Sequence, residues 1–166
     1  YGVEMKIMFK GAYRCYIKLP KILYDNNLSG LADEKIMIQI DTAPHDFDYT
    51  PDKKIINKFD VFTQVNSTPL DILLAQKMYA VLNRKRPKGR DFFDIIFLLQ
   101  KTKPNYDYLT QKVNVKNSKE LKDSLIQHIE KFDFKQIVND VRPFLFNPSD
   151  SKRLKMFGDY IKQIEI

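Results

Sequence analysis

The fold is decided by the stretch Leu73-Leu74-Ala75-Gln76-Lys77-Met78-Tyr79-Ala80-Val81-Leu82-Asn83-Arg84 and by Arg90-Asp91-Phe92-Phe93-Asp94, which follows it closely. At about 100° per residue, the first segment predicts a helix with one apolar face. That face carries Leu70, Leu73, Leu74 and Val81. Lys77 falls near its centre and Arg84 two turns later, so a buried face here must supply these cations with an anion or a path to solvent.

The second segment is apolar on nearly all sides of a helix, which predicts a buried helix. Asp91 can cap its N-terminus, whereas Asp94 lies one turn inside and needs a cationic partner. Lys77 and Arg84 are the nearest cations in the sequence. Lys77 with Asp94 is therefore either a structural ion pair that joins two helices or part of a working site. Buried pairs perturb pKa values in both cases.

Around this centre the chain predicts an α+β fold that changes from strands to helices near Pro69. We expect a strand-rich part over residues 1–68 and a helical part over 69–166, arranged as a small, mostly antiparallel sheet followed by a helical bundle. Residues 42–58 are polar, contain two prolines and predict a loop. A hydroxyl cap, Ser67-Thr68, precedes Pro69. The predicted strands are 3–9, 13–19, 35–41 and 59–65; the predicted helices are 69–84, 91–100, 119–132, 134–144 and 150–164.

Composition excludes several classes of protein. The 166 residues contain no apolar run near the ~18 needed to span a bilayer, and the single Cys15 has no partner for an internal disulfide. Without a recognisable signal peptide, the cytoplasm is the default. His45 and His128 lie far apart and predict no zinc site. The net charge of +7 favours polyanionic partners. Residues 84–90 contain five cations and no acid, and these cations either contact phosphates or are solvated loop charges.

These motifs together resemble a known family. The residues from Leu74 to Arg84 and from Arg90 to Asp94 match the Leu-x-x-Lys-x-x-Ala-x-x-x-Arg and Arg-Asp-x-x-Asp signature of the AbiEii abortive-infection nucleotidyltransferase toxins. Residues 140–146 resemble that family's C-terminal helices.

The resemblance implies a DNA polymerase β-like enzyme that transfers a nucleotide from a nucleoside triphosphate to an RNA, in some members the acceptor end of tRNA. It also implies Mg²⁺, a cognate antitoxin and a role in phage defence. By motif, Lys77 binds phosphate, Asp91 or Asp94 is the acid required near it, and Arg84 with Arg90 are supporting cations.

One part of the family pattern is absent. A Gly-Ser pair and an Asp-x-Asp motif should precede Lys77, and since Tyr1 is not a methionine we expect the chain to be the C-terminal portion of the enzyme. Ser29-Gly30 and Asp46-Phe47-Asp48 imitate the motif, but we expect solvated loop acids there. Asp41 is a better metal-ligand candidate, against the alternative of a strand-ending aspartate. The rival function is a non-catalytic transferase remnant that binds RNA or a protein partner.

Overall fold

The computed structural model describes residues 2–44 and 46–166 and has the α+β architecture that the sequence predicts. Tyr1 and His45, on which two sequence interpretations depend, lie outside the described residues. The backbone divides into two compact units, residues 1–47 and 48–166. Within the described ranges, no helix combines the length and the apolar composition needed to cross a membrane.

The first unit is a three-stranded antiparallel sheet. Its strands are β1 (Lys6–Phe9), β2 (Arg14–Pro20) and β3 (Lys35–Asp41), in the order β1-β2-β3, with the short helix α1 (Ile22–Asp25) after β2. The predicted hairpin and third strand are thus confirmed.

The register places apolar residues on one face of this sheet, because side chains alternate along a strand. That face carries Ile7, Phe9, Cys15, Ile17, Leu19, Ile36, Ile38 and Ile40. The members from β1 and β3 are exposed, and every buried hydrophobic side chain among the described residues lies at or after Ile72. The core therefore belongs to the second unit.

The second unit opens with a hairpin that corrects the sequence prediction. Strands β4 (Asp52–Lys58) and β5 (Val61–Ser67) pair in antiparallel register, so the loop expected over 42–58 is wrong for its last seven residues. The two apolar residues of β4, Ile55 and Ile56, are adjacent, which hides the period of two that identifies a strand. The predicted strand 59–65 begins two residues late because Phe59, with φ 52°, lies in the turn.

Seven helices follow the hairpin. Helix α2 lies close to its predicted bounds, whereas one predicted C-terminal helix is split at Met156 and the helix at 106–113 was not predicted. The helices are α2 (Leu70–Asn83), α3 (Gly89–Leu99), α4 (Tyr106–Val113), α5 (Ser118–Ile129), α6 (Phe134–Val141), α7 (Ser151–Lys155) and α8 (Phe157–Gln163). Helix α6 stops before Pro143, in a short 3₁₀ turn over 142–144.

The predicted hydroxyl cap of α2 is also wrong. Pro69 is the N-cap residue, without a side-chain hydrogen bond. The hydroxyl of Thr68 instead lies 3.1 Å from that of Tyr49, while Ser67 Oγ is buried without a partner. The helix start therefore rests on the fixed φ of proline and on the packing of the apolar face.

Helices α2 and α3 form the centre of the core. The fully buried side chains Leu74, Met78 and Val81 come from α2, and Phe92 and Ile95 from α3. The ring of Phe92 also packs edge-on against those of Phe134 and Phe157, 5.5 and 5.0 Å away between centroids, which joins α3 to the C-terminal helices. This packing fixes the helix faces on which Lys77 and Asp91 lie.

Gly89 sets the distance between α3 and α6. A Cβ at this position would lie 2.2 Å from the carbonyl oxygen of Ile137 and 2.5 Å from Cγ2 of Val141. We expect Gly89→Ala to lower the free energy of unfolding by about 1–3 kcal/mol, because a backbone carbonyl cannot move aside as a side chain can.

Gly158→Ala is the matched control in a urea titration. Its Cβ would meet only Cδ1 of Ile129, at 3.4 Å, so the substitution should be neutral or stabilising by up to about 1 kcal/mol. If Gly89→Ala and Gly158→Ala lower the free energy of unfolding equally, the close approach of α6 does not require a glycine at position 89.

His128 makes stability depend on pH. Its Nε2 is buried without a partner, and burial, followed by the nearby Lys131, lowers the pKa of the imidazole, against a hydrogen bond to the Val81 backbone that raises it. Because the folded pKa lies below the unfolded value of about 6.5, the unfolded chain binds the proton more readily. We expect unfolding by urea to become easier between about pH 7.5 and 5.5, with a shallower dependence in His128→Asn. Identical pH dependences would contradict this prediction.

Candidate functional site

Four charged side chains meet between α2 and α3. Lys77 Nζ lies 2.6 Å from Oδ2 of Asp94 and 3.4 Å from Oδ1 of Asp91. Arg84 donates from Nη1 to Oδ2 of Asp91. The structure thus brings together Lys77, Arg84, Asp91 and Asp94, and we call these residues the charged cluster.

The spacing along each helix explains this arrangement. Lys77 lies within α2 and Arg84 is its C-cap residue, seven positions later, while Asp91 and Asp94 are three apart on one face of α3. Because α2 and α3 pack side by side, these side chains meet at one edge of the core. The sequence prediction that Asp91 is a helix cap is wrong: the N-cap is Lys88, and Asp91 lies in the first turn, where the helix dipole also favours an anion.

Burial divides the cluster into an inner carboxylate and outer groups. The side chain of Asp91 is 4% exposed, compared with 27% for Lys77, 40% for Asp94 and 47% for Arg84. Asp91 holds both cations, one on each oxygen. Asp94 is the partner that water can reach, so an incoming anion can replace it at Lys77 at low cost.

The cluster therefore has the features of an anion site. The guanidinium of Arg84 has five N–H donors, only some of which face Asp91, and the ammonium of Lys77 has three. An anion placed over the two cations would be held by charge-assisted hydrogen bonds, while Asp91 keeps the donors in place.

Arg90, the fifth predicted site residue of the second half, lies elsewhere. It is exposed and lines a small hollow with Lys88, Gly89, Asp140 and Phe144. The sequence grouped it with Lys77 because Arg90 directly precedes Asp91. Adjacent helical residues point about 100° apart, so the two cannot share a face.

Asp41 is the last residue of β3, in the first unit, as expected. Its carboxylate accepts hydrogen bonds from Gln39 and Arg14, both at 2.5 Å, and these partners, Gln39 first, lower the pKa of Asp41. It lines a hollow of about 480 Å³ at the end of the hairpin, together with Tyr13 and Thr42.

The described residues do not fit a magnesium site by themselves. Nowhere in 2–44 or 46–166 do three His, Cys, Asp or Glu side chains gather as metal ligands would. The oxygens of Asp91 and Asp94 face cations, and those of Asp41 face a guanidinium and an amide, whereas Mg²⁺ takes oxygen ligands in an octahedron.

The two stretches that resemble the upstream motif, Ser29-Gly30 and Asp46-Phe47-Asp48, lie in loops. Ser29 accepts a hydrogen bond from the amide of Leu31 and bonds Glu34, which closes a local turn. Asp46 and Asp48 lie outside the strands and helices. The expectation of loop acids at these positions matches their placement.

Sequence reasoning missed a groove beside the basic connection 84–90. It has a volume of about 640 Å³, and its lining comes from that connection and from residues 131–140. The signals in the sequence were Gly89, which permits the close approach of α6, and Lys131, which adds a cation from a distant segment.

A comparison with protein families supports the resemblance that the cluster residues carry. The family model described as "Nucleotidyl transferase AbiEii toxin, Type IV TA system" matches residues 6–159, which include the whole charged cluster. No curated protein and no solved structure matches the chain. Because the match covers nearly the whole chain, the protein belongs to the AbiEii nucleotidyltransferase toxin family of type IV toxin–antitoxin systems.

Proposed function

We propose that this protein transfers a nucleotide from a nucleoside triphosphate to an RNA acceptor, with tRNA as the acceptor that the family resemblance suggests. In this reaction an RNA hydroxyl oxygen forms a bond to the α-phosphorus, the bond from that phosphorus to the bridging oxygen breaks, and pyrophosphate leaves. The hydroxyl proton is released to solvent. Charge on the phosphates is the main obstacle, so positioned cations lower the barrier.

The charged cluster supports this proposal most directly. Lys77 and Arg84 bind the triphosphate, and Lys77 exchanges Asp94 for a phosphate oxygen when the nucleotide arrives. Asp91 is a positioning residue, since its buried carboxylate holds the two cations and does not face the substrate. Arg90 lies outside the cluster and has no role in this step.

Mg²⁺ and the antitoxin enter the proposal through the resemblance and the family. The described residues do not hold Mg²⁺ by themselves, since the oxygens of Asp41 are engaged by Arg14 and Gln39, so no step of the proposal runs through Asp41 or the metal. A cognate antitoxin restrains the toxin, and the pair acts in phage defence in the cytoplasm.

The experiment supplies the protein, expressed from its natural gene, with each α-labelled nucleoside triphosphate together with total RNA. We expect label to enter RNA and pyrophosphate to be released in equal amount. Label transferred only to protein or to small molecules would contradict an RNA acceptor. No release of pyrophosphate with any nucleotide would favour the rival function, a non-catalytic module that binds RNA or a protein.

A further inference from the structure

Five cations on the basic connection 84–90 and on the segment that faces it make no ion pair within the described residues. They are Lys85, Arg86, Lys88, Arg90 and Lys131, whereas Arg84 is taken by Asp91. All five are exposed. Cations that have no carboxylate partner are available to an external anion.

These cations line two adjoining hollows. The larger, of about 640 Å³, includes Lys85, Arg86, Lys88 and Lys131, and the smaller, of about 260 Å³, includes Lys88 and Arg90. Lys88 and Asp140 line both hollows, so the two lie side by side, and we call them together the basic groove. Its five cations outnumber its two carboxylates, Asp133 and Asp140, which leaves a net charge of +3.

The basic groove is built rather than formed by a free loop. Gly89 is pressed against the backbone of Ile137, which fixes the basic connection on α6. On the other wall, the carboxylate of Asp133 caps α6 by accepting a hydrogen bond from the backbone amide of Lys135. One wall is thus held by close backbone packing and the other by a helix cap.

Aromatic rings accompany the cations. Phe144 lines the smaller hollow and is 72% exposed, and Phe132 lines the larger one. The exposed ring of Phe144 is accessible to a flat partner that stacks on its face. A base of an unpaired nucleotide is such a partner, and its phosphates would meet the cations.

We propose that the basic groove binds single-stranded RNA, with backbone phosphates on Arg86, Lys88 and Arg90 and a base stacked on Phe144. This inference rests on the proposed function at one point only, the choice of RNA as the molecule that binds. Duplex RNA is disfavoured because its bases are already stacked and cannot use Phe144. An acidic polypeptide would use the cations but not the ring.

The test is fluorescence anisotropy with a labelled single-stranded RNA of roughly 12 nucleotides and the same RNA as a duplex, over salt concentrations of about 0.05–0.3 M. We expect the protein to bind the single strand more tightly than the duplex. Lys88→Gln should reduce the slope of log affinity against log salt by about 0.7, the value of one phosphate contact on a single strand.

Phe144→Ala separates stacking from charge. It should weaken single-strand binding about 5- to 100-fold and remove the preference over duplex, while it leaves the salt slope unchanged. Because the ring is exposed, the fold is retained, as thermal unfolding will check. Lys119→Gln is the charge-matched control, since Lys119 is exposed in the first turn of α5 and lines neither hollow.

The proposal is overturned if Lys119→Gln changes binding as much as Lys88→Gln does, if the duplex binds as well as the single strand, or if an acidic polypeptide competes better than RNA. Its failure is distinguishable from failure of the proposed function. RNA bound in the groove without nucleotide transfer would refute the transferase. Transfer that is unaffected by Lys88→Gln and Phe144→Ala would refute the groove.

Discussion

Replacing Asp91 with alanine is expected to lower the free energy of unfolding by about 2–3 kcal/mol, because it removes two charge-assisted bonds, to Lys77 and Arg84. The full cost of breaking a buried pair, about 3–5 kcal/mol, does not apply, since both cations are partly exposed and can regain water. The measurement is a urea titration. The slope of unfolding free energy against urea concentration should be the same in variant and parent, which would show that unfolding exposes the same surface in both.

Asp94→Ala is the matched control for this prediction. It removes a carboxylate from the same ammonium, but one that is 40% exposed, and should cost at most about 1 kcal/mol. Equal losses in the two variants would contradict the distinction between an inner and an outer carboxylate. In a transfer assay, Asp91→Ala should also raise the KM for the nucleotide, since Lys77 and Arg84 lose the group that positions them.

The contacts of Lys77 and Arg84 with the two aspartates could be predicted from the sequence because their geometry is local to two helices. Seven-residue and three-residue spacings fix which side chains share a helix face, and only the pairing of the two helices had to be inferred. The burial of Asp91 escaped prediction, because an acid near a helix start is usually a cap. Its burial depends on how α3 packs against α2.

Other features depend on contacts that no local pattern records. Strand β4 was missed because Ile55 and Ile56 are adjacent, and it exists through pairing with β5. The basic groove joins residues 85–90 to residues 131–144, segments far apart in sequence that meet where Gly89 contacts α6. Asp41 was placed correctly at a strand end, but its partner Arg14 comes from the neighbouring strand.

Lys77 carries the central claim, that the charged cluster binds the triphosphate of a nucleotide that is transferred. The ammonium of Lys77 contacts both carboxylates, and 27% of the Lys77 side chain is exposed. The ammonium can therefore exchange Asp94 for a phosphate oxygen. Removal of one stabilising donor from a site where charge develops costs about 100- to 1000-fold in rate. The fold should tolerate the change, since Asp91 keeps Arg84 as a partner.

The most direct test is the rate of labelled-nucleotide transfer to RNA by the Lys77→Ala variant of the protein expressed from its natural gene, with Lys119→Ala as the control for loss of a surface lysine. The account predicts that kcat/KM falls about 100-fold or more in Lys77→Ala and stays unchanged in the control, with both variants still folded in the absence of urea. A folded Lys77→Ala protein that transfers nucleotide as fast as the parent would contradict it.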